Sequence, residues 1–150
     1  MDVSTLTGVS LRQLQWWDEQ GVVTPLQIGH RRLYNTREVL QVSLIMGLRK
    51  KGISLQKIRR ILAKLSPEVN GGFLETHHSG SDVFLLTDGE SVHVETSATR
   101  ILDILKVSTT PINTLCISDL IRQIVPQKRR RKPMRGETVT TGRKRIAKAS

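Results

Sequence analysis

The sequence predicts a mainly α fold, a winged helix-turn-helix over residues 1–66, followed by a small α+β module in the order ββαβα and a disordered basic tail. Three observations lead to this prediction. A capped amphipathic helix is followed at once by a glycine-turned hairpin, and two further amphipathic segments follow that hairpin. After residue 82, the segments VFLLT and SVHVE flank a second turn signal, Asp88-Gly89-Glu90. With 150 residues, the chain has room for one or two small domains.

The first of these elements is a helix over about residues 10–20. A tight glycine turn precedes Ser10, whose hydroxyl suits the N-cap position, and Gly21 provides the stop. At 100° per residue, Leu14 and Trp17 share one face, which we expect in the core. The other face carries Arg12, Gln15, Trp16 and Glu19. Outward arginine and aromatic side chains on a helix entered through a glycine turn are typical of the second helix of a helix-turn-helix.

A short basic hairpin, about residues 25–34, follows this helix. Pro25 and Gly29 punctuate it, and Val22, Val23 and Leu33 are apolar. Four side chains cluster near its end: His30, Arg31, Arg32 and Tyr34. A basic hairpin at this place is typical of a wing, which touches phosphates or the minor groove beside a major-groove helix.

Two more helices are expected before residue 67. Asn35, with a glutamate three residues on, forms an approximate capping box for a helix over about 36–51. Ser54 caps a second helix, about 55–65, which Pro67 is expected to end. The basic residues of these helices either flank DNA or are ordinary solvated charges: Arg49, Lys50, Lys51, Lys57, Arg59 and Arg60.

Three segments, TGVSLRQLQWWDEQGVV, GHRRLYNTREVLQV and LRKKGISLQKIRRIL, occur in this order. Together they resemble the winged-helix DNA-binding head of the MerR family of bacterial regulators, whose usual form is roughly TGVS-x-R-T-L-R-Y-Y-E-x-x-G-L-L, then R-x-Y, then G-x-S-L-x-x-I. The resemblance covers about the first 65 residues. It implies contact with double-stranded DNA, for which the candidates are Ser10, Arg12, Gln13, Gln15, Trp16, His30, Arg31, Arg32 and Tyr34.

Some of these candidates have an alternative interpretation. Trp16 and Tyr34 could instead belong to the core, although the helical phase of Trp16 favours the outward face. Gln15 stands where the family usually has arginine, so sequence preference is expected to differ from that of a typical member. The family's first helix normally has several residues before the position of Met1, so this head starts short, or the start codon is misplaced.

The second half of the chain departs from the family pattern, because no long dimerisation helix follows residue 66. Residues 67–82 are predicted as a linker from their Gly, Ser and Pro content. Residues 83–125 are predicted as the ββαβα module, with a hairpin at Asp88-Gly89-Glu90. A module of this size is marginal alone and leaves strand edges and apolar surface to cover, so it is expected to form a homodimer.

The net charge of +11 is unevenly distributed. Residues 1–66 hold 11 Lys and Arg against 4 Asp and Glu, residues 67–125 hold 3 against 8, and residues 126–150 hold 10 against 1. Basic ends around an acidic middle indicate nucleic acid at both ends. The tail from residue 126 has almost no apolar residues and is expected to be disordered and to act as a nonspecific DNA arm.

Several classes of function find no support in the sequence. The single cysteine, Cys116, excludes an internal disulfide and fits a reducing cytosol, and no stretch approaches the ~20 apolar residues of a membrane span. A cytoplasmic protein of the bacterial nucleoid is expected. No phosphate loop or catalytic constellation is visible, so neither an enzyme nor a cofactor is predicted. His77, His78 and His93 suggest a metal, but a lone cysteine in a strand is more typical of a small buried hydrophobe, and no metal site is predicted.

Two functions remain open at this point. The favoured one is a sequence-specific transcriptional regulator; members of the resembled family act as dimers that twist operator DNA, and excisionase-like relatives of this head act as DNA-bending factors. The alternative is an interaction adaptor or antitoxin-like protein, whose acidic 67–125 region masks a partner while the head serves autoregulation. The sequence names neither an effector nor an operator.

Overall fold

The computed structural model describes residues 2–125, which are mostly helical with two small antiparallel sheets. The helices are α1 (Val3–Thr7), α2 (Leu11–Glu19), α3 (Thr36–Lys50), α4 (Leu55–Lys64), α5 (Phe73–His78), α6 (Ala98–Val107) and α7 (Ile117–Ile124). The strands are β1 (Leu26–Ile28), β2 (Arg31–Leu33), β3 (Phe84–Thr87), β4 (Val92–Glu95) and β5 (Asn113–Cys116). The predicted disordered tail, residues 126–150, lies outside the described residues.

The predicted helix starts are confirmed by their caps. Ser10 accepts a hydrogen bond from the Gln13 N–H, and Ser54 accepts one from the Lys57 N–H. At α3 the capping box is complete, because the Asn35 side chain accepts from the Glu38 N–H while the Glu38 carboxylate accepts from the Asn35 N–H. Each cap satisfies backbone donors that the first turn of a helix leaves without partners.

Both predicted hairpins are present. β1 and β2 pair around a turn at Gly29, whose φ is +62°. In the second sheet the strand order is β4-β3-β5, with all pairs antiparallel, so β3 is central. Its hairpin turn is fixed by Asp88, whose carboxylate accepts from two backbone N–H groups, which holds the pKa of this carboxyl well below its usual range. The ββαβα order of the second half is thereby confirmed.

The segment predicted as a linker, residues 67–82, is instead helical over most of its length. Pro67 has helical backbone angles and is followed by a turn, Glu68–Gly72, in which the backbone is kinked at Gly71 (φ +152°) before α5 begins. Proline is compatible with the first turn of a helix, since its missing N–H would have no partner there. Val69 and Phe73, four residues apart, are 2% and 1% exposed. Glycine, serine and proline content gave no sign of these two buried side chains. The segment is largely helical, and its role as a linker between domains stays a prediction.

One core joins the two halves of the described chain. α3 lies at its centre and contacts α1, α4 and α7. The fully buried residues include Leu40 and Ile45 of α3 together with Leu85 of β3 and Ile117 and Ile121 of α7. The surface that the small module was expected to need is therefore supplied largely by the head of the same chain. The further division into domains stays a prediction.

Close packing fixes the module on the head. A Cβ placed on Gly47 of α3 would lie 3.2 Å from both δ carbons of Leu115 in β5, so only glycine allows this approach without displacement. On the other side of the module, the buried Ser118 hydroxyl accepts from the Val83 N–H at 2.8 Å, and the Val83 carbonyl accepts from the Ile117 N–H at 2.8 Å. These contacts pin α7 to the start of β3.

Candidate nucleic-acid interface

The candidate interface is built on α2, which is held in place by its inward face. Leu14 and Trp17 are 4% and 1% exposed and belong to the shared core, as the helical phase predicts. Gly21 adopts a φ of +71°, and its N–H donates to the Asp18 carbonyl, which ends the helix. Because both ends and one face are fixed, the other face of α2 has a defined orientation.

The outward face of α2 is exposed, as the sequence predicts. Arg12, Gln13 and Gln15 are exposed, and the Trp16 side chain is 46% exposed. Gln15 donates from its amide nitrogen to the Glu19 carboxylate at 3.2 Å, which orients the Gln15 amide along the helix. The core alternative for Trp16 does not fit this exposure, since its neighbour Trp17 takes the core position.

An ion pair joins α2 to the wing. The Arg32 Nε donates to the Asp18 Oδ2 at 2.7 Å, with side-chain exposures of 28% and 19%. This hydrogen bond to Asp18 raises the pKa of Arg32. The Nε–H of Arg32 therefore helps to hold the wing beside α2. This positioning role was not suggested by the sequence.

Tyr34 occupies an intermediate position. It packs against the core, and its hydroxyl is buried with no hydrogen-bond partner among residues 2–125. Burial, with the nearby Asp18 carboxylate, raises the pKa of this phenol. The geometry of Tyr34 fits the core alternative better than an outward contact.

The two faces of the wing differ in chemistry. The register pairs Leu26 with Leu33 and Ile28 with Arg31, so these four side chains share one face. Arg32 lies on the opposite face, toward Asp18. His30, at the tip, and Arg31 are exposed.

A groove of about 660 Å³ separates α2 from the wing. Its walls include Leu11 and Gln15 on the helix side and Arg31 and Leu33 on the wing side. Leu11 and Leu33 are 68% and 41% exposed. Neither leucine was predicted from the sequence, because polar and aromatic side chains were the candidates for DNA contact. The alternation of apolar and polar residues in LQI and RRL is the signal that indicates Leu33.

Some of the basic residues of α4 are paired with groups of the same chain. Glu90, in the turn between β3 and β4, lies 3.7 Å from the Lys57 Nζ and 4.0 Å from Arg60, and its carbonyl accepts from the Lys64 Nζ at 2.6 Å. Arg59, in contrast, is exposed. The acidic turn therefore reduces the positive charge of this helix toward solvent.

The described residues contain no group of three or more His, Cys, Asp or Glu side chains placed to hold a metal ion. His77 and His78 lie in α5, with ring centroids 6.0 Å apart. Cys116 ends β5 and is half-buried, and burial raises the pKa of its thiol. Over residues 2–125, no helix is both long and apolar enough to cross a membrane.

A capped helix with an exposed polar and aromatic face, bound to a two-stranded wing, defines a winged helix-turn-helix protein. Residues 1–65 match the family model described as MerR HTH family regulatory protein, so this part of the chain is similar to that family. The resemblance found in the sequence is thus confirmed over the same residues.

Longer relatives also match. An uncharacterized HTH-type transcriptional regulator of Mycobacterium bovis is 28% identical to this chain over 106 residues, which cover 67% of this chain and 44% of the relative. Uncharacterized HTH-type transcriptional regulators of two Mycobacterium tuberculosis strains match with the same identity and coverage. The chain therefore spans less than half the length of the curated relatives it matches.

Proposed function

We propose that this protein is a sequence-specific, DNA-binding regulator of transcription of the MerR type. The observation that carries the proposal is the outward face of α2, which is exposed and rigidly held while the Asp18–Arg32 pair fixes the wing beside it. In the proposed complex α2 enters the major groove, and the wing lies alongside it. A regulator of this kind acts in the cytoplasm, at the bacterial nucleoid.

The candidate residues divide by position. The side chains that reach bases lie on α2: Arg12, Gln15 and Trp16 on its outward face, and Gln13, which is exposed at the edge of that face. Arginine and glutamine read guanine and adenine edges through paired hydrogen bonds. Ser10, His30 and Arg31 are exposed where α2 begins and where the wing turns, and they suit the phosphate backbone. Arg32 and Tyr34 act mainly by holding the wing.

A homodimer through the 83–125 module is part of the proposal. Since the head covers much of this module, the remaining apolar surface is small and lies on α6. Leu102 and Leu105 are 56% and 43% exposed and lie 60° apart on the helix, so they form one face, here called the α6 face. Asp103 balances Lys106 on this helix and Arg100 is paired with Glu95, so the surface is near neutral, which suits a second copy better than DNA.

The proposal is tested by selection from a pool of random duplexes with the full chain as bait. A sequence-specific regulator enriches one motif, and a two-fold dimer enriches a palindrome with half-sites about 10 base pairs, or a multiple of that, apart. Retention of duplexes without enrichment of any motif would contradict sequence-specific binding.

The same protein, purified from a native extract, tests the adaptor alternative. Isolation as one stoichiometric complex with a different protein would support an adaptor, whether or not a DNA motif is enriched. A homodimer that is isolated without another protein and binds a palindromic motif would contradict that alternative, because the 67–125 region would then mask no partner.

A further inference from the structure

One side of α4 is a row of cations that faces the acidic half of the chain. Its members are three and four residues apart: Lys57, Arg60 and Lys64. At 100° per residue they fall within about 60° of one another around the helix, and they extend over about 10 Å of its axis. We call this row the α4 stripe. Arg59 lies about 100° away from Arg60, so it belongs to a different side of the helix.

A single residue of the 83–125 module contacts all three cations. The Glu90 Oε2 lies 3.7 Å from the Lys57 Nζ and 4.0 Å from the Arg60 Nη2, and the Glu90 carbonyl accepts from the Lys64 Nζ at 2.6 Å. The preceding residue is also close, because a Cβ placed on Gly89 would lie 3.6 Å from the Lys57 Cδ. Glu90 therefore presents oxygen acceptors to the α4 stripe, as a phosphate group does.

The turn that carries Glu90, residues 88–91, is held in a fixed shape by its own module. The Asp88 Oδ1 accepts from the N–H groups of Glu90 and Ser91 at 2.8 and 2.7 Å, and the Asp88 Oδ2 accepts from the Thr110 hydroxyl at 3.0 Å. Thr110 lies in the loop between α6 and β5. Hydrogen bonds within the module thus orient this segment, here called the Glu90 turn, toward α4.

The contact between the Glu90 turn and α4 is open to solvent. The side chains of Lys57, Arg60 and Glu90 are 44%, 53% and 66% exposed. Exposed ion pairs contribute little to folding stability, whereas the two halves of the chain already share a buried core. A competing anion can therefore displace Glu90 without unfolding the protein or burying an unpaired charge.

We propose that the Glu90 turn is an autoinhibitory contact: it occupies the α4 stripe in the DNA-free protein and is displaced when a DNA phosphate binds there. The inference rests on the proposed function, since it requires DNA beside the head. Cations gain affinity for DNA by neutralising phosphates and releasing counterions, and a cation that a carboxylate already neutralises gains less. The acidic module thus lowers the affinity of the basic head for DNA through one turn.

The test measures binding of the full chain to a duplex of random sequence, because phosphate contacts carry no sequence information. Glu90→Gln removes the charge and keeps the size of the side chain. At low salt it should tighten binding about threefold, the size of effect expected of an exposed ion pair. The slope of log K against log salt should steepen by about 0.9 for each phosphate newly contacted.

The matched control is Asp103→Asn, which makes the same change in net charge at an exposed position on α6. It should leave both the affinity and the salt slope close to those of the parent. Equal tightening by Asp103→Asn and Glu90→Gln would overturn the inference, because net charge alone would then explain the effect.

A double-mutant cycle assigns the effect to the α4 stripe. Lys57→Gln combined with Arg60→Gln removes the two cations that face the Glu90 carboxylate. In that background Glu90→Gln should no longer tighten binding. In the control background Arg59→Gln, which alters another side of α4, Glu90→Gln should still tighten binding about threefold. Thermal unfolding of each variant shows whether the fold is kept.

Two further outcomes would contradict the autoinhibitory contact and leave the regulator proposal standing. Tightening by Glu90→Gln that persists without Lys57 and Arg60 would place its cause elsewhere in the molecule. Unchanged binding by Glu90→Gln, with or without a lower unfolding temperature, would show that the contact is at most a tether between the two halves. Failure of the parent to enrich any motif counts instead against the proposed function, because the measurements on Glu90 use random sequence.

Discussion

Two surfaces expose apolar side chains to a similar degree, yet their surroundings differ: the α6 face and the apolar face of the wing, formed by Leu26, Ile28 and Leu33 and here called the wing strip. The wing strip ends in Arg31, and no carboxylate lies on its hairpin. On α6, Arg100 is paired with Glu95 at 2.9 Å, and Asp103 balances Lys106. Apolar exposure alone thus does not identify a partner. The charges beside each surface do, and they favour a polyanion on the wing and a protein surface on α6.

The largest expected effect separates the adjacent tryptophans of α2. Trp17→Ala removes a side chain that is 1% exposed and should destabilise the fold by about 3–5 kcal/mol. Trp16→Ala, at a position 46% exposed, should change stability by no more than about 0.5 kcal/mol. Urea unfolding of both variants measures this difference. Similar losses for the two would mean that α2 is not oriented as described.

A second prediction concerns the α6 face. Leu102→Ser combined with Leu105→Ser should convert a dimer into a monomer at micromolar concentration, because it removes the apolar surface proposed to meet a second copy. Val107→Ser is the matched control, since Val107 is 79% exposed but lies 140° or more from both leucines around the helix. Sedimentation equilibrium of the full chain measures the mass of the parent and of the variants. A parent that is already monomeric would contradict the dimer proposal.

Deleting the tail tests the contribution of charge alone to DNA binding, because the tail contains neither of the two apolar surfaces. Residues 126–150 hold 10 Lys and Arg against one Glu. Their deletion should weaken binding to the operator and to random duplexes by similar factors. The slope of log K against log salt should decrease in magnitude by about 0.9 for each phosphate that the protein no longer neutralises. Titrations at several salt concentrations measure the slope. An unchanged slope would exclude the tail as a DNA arm, and weaker binding to the operator alone would mean that the tail reads sequence.

The smallest effect is expected at Glu90. Glu90→Gln removes the carboxylate near Lys57 and Arg60, so α4 should attract phosphates more strongly and DNA binding should tighten modestly. Stability should change by less than about 1 kcal/mol, as for other exposed ion pairs. Unchanged affinity, measured at low salt, would show that this side of α4 lies away from DNA.

Local signals in the sequence predicted the head well for a physical reason. Caps such as Ser10, Asn35 and Ser54 act within one helical turn, so a short window contains the whole interaction. The same reasoning failed at Pro67, where composition suggested a break and tertiary packing of Val69 and Phe73 decided the helix. Long-range packing is not visible in a window of that length.

The candidate site was predictable only in part for the same reason. Helical phase was enough to assign Trp16 outward and Trp17 inward. The pairing of Asp18 with Arg32, 14 residues apart, depends on how the wing folds back on α2, and no local pattern signals it. The apolar face of the wing likewise depends on the register of β1 against β2, which places Leu26 beside Leu33.

The most direct test of the DNA-binding surface is titration of Arg12→Ala against the selected duplex and a scrambled duplex of equal length. Arg100→Ala is the control, because it removes the same charge from an exposed site on α6. Arg12→Ala should weaken binding to the selected duplex by about 1–3 kcal/mol and to the scrambled one by much less, since the variant cannot hydrogen-bond to a base. Arg100→Ala should affect neither duplex. If Arg12→Ala binds the selected duplex as tightly as the parent, the outward face of α2 does not read DNA.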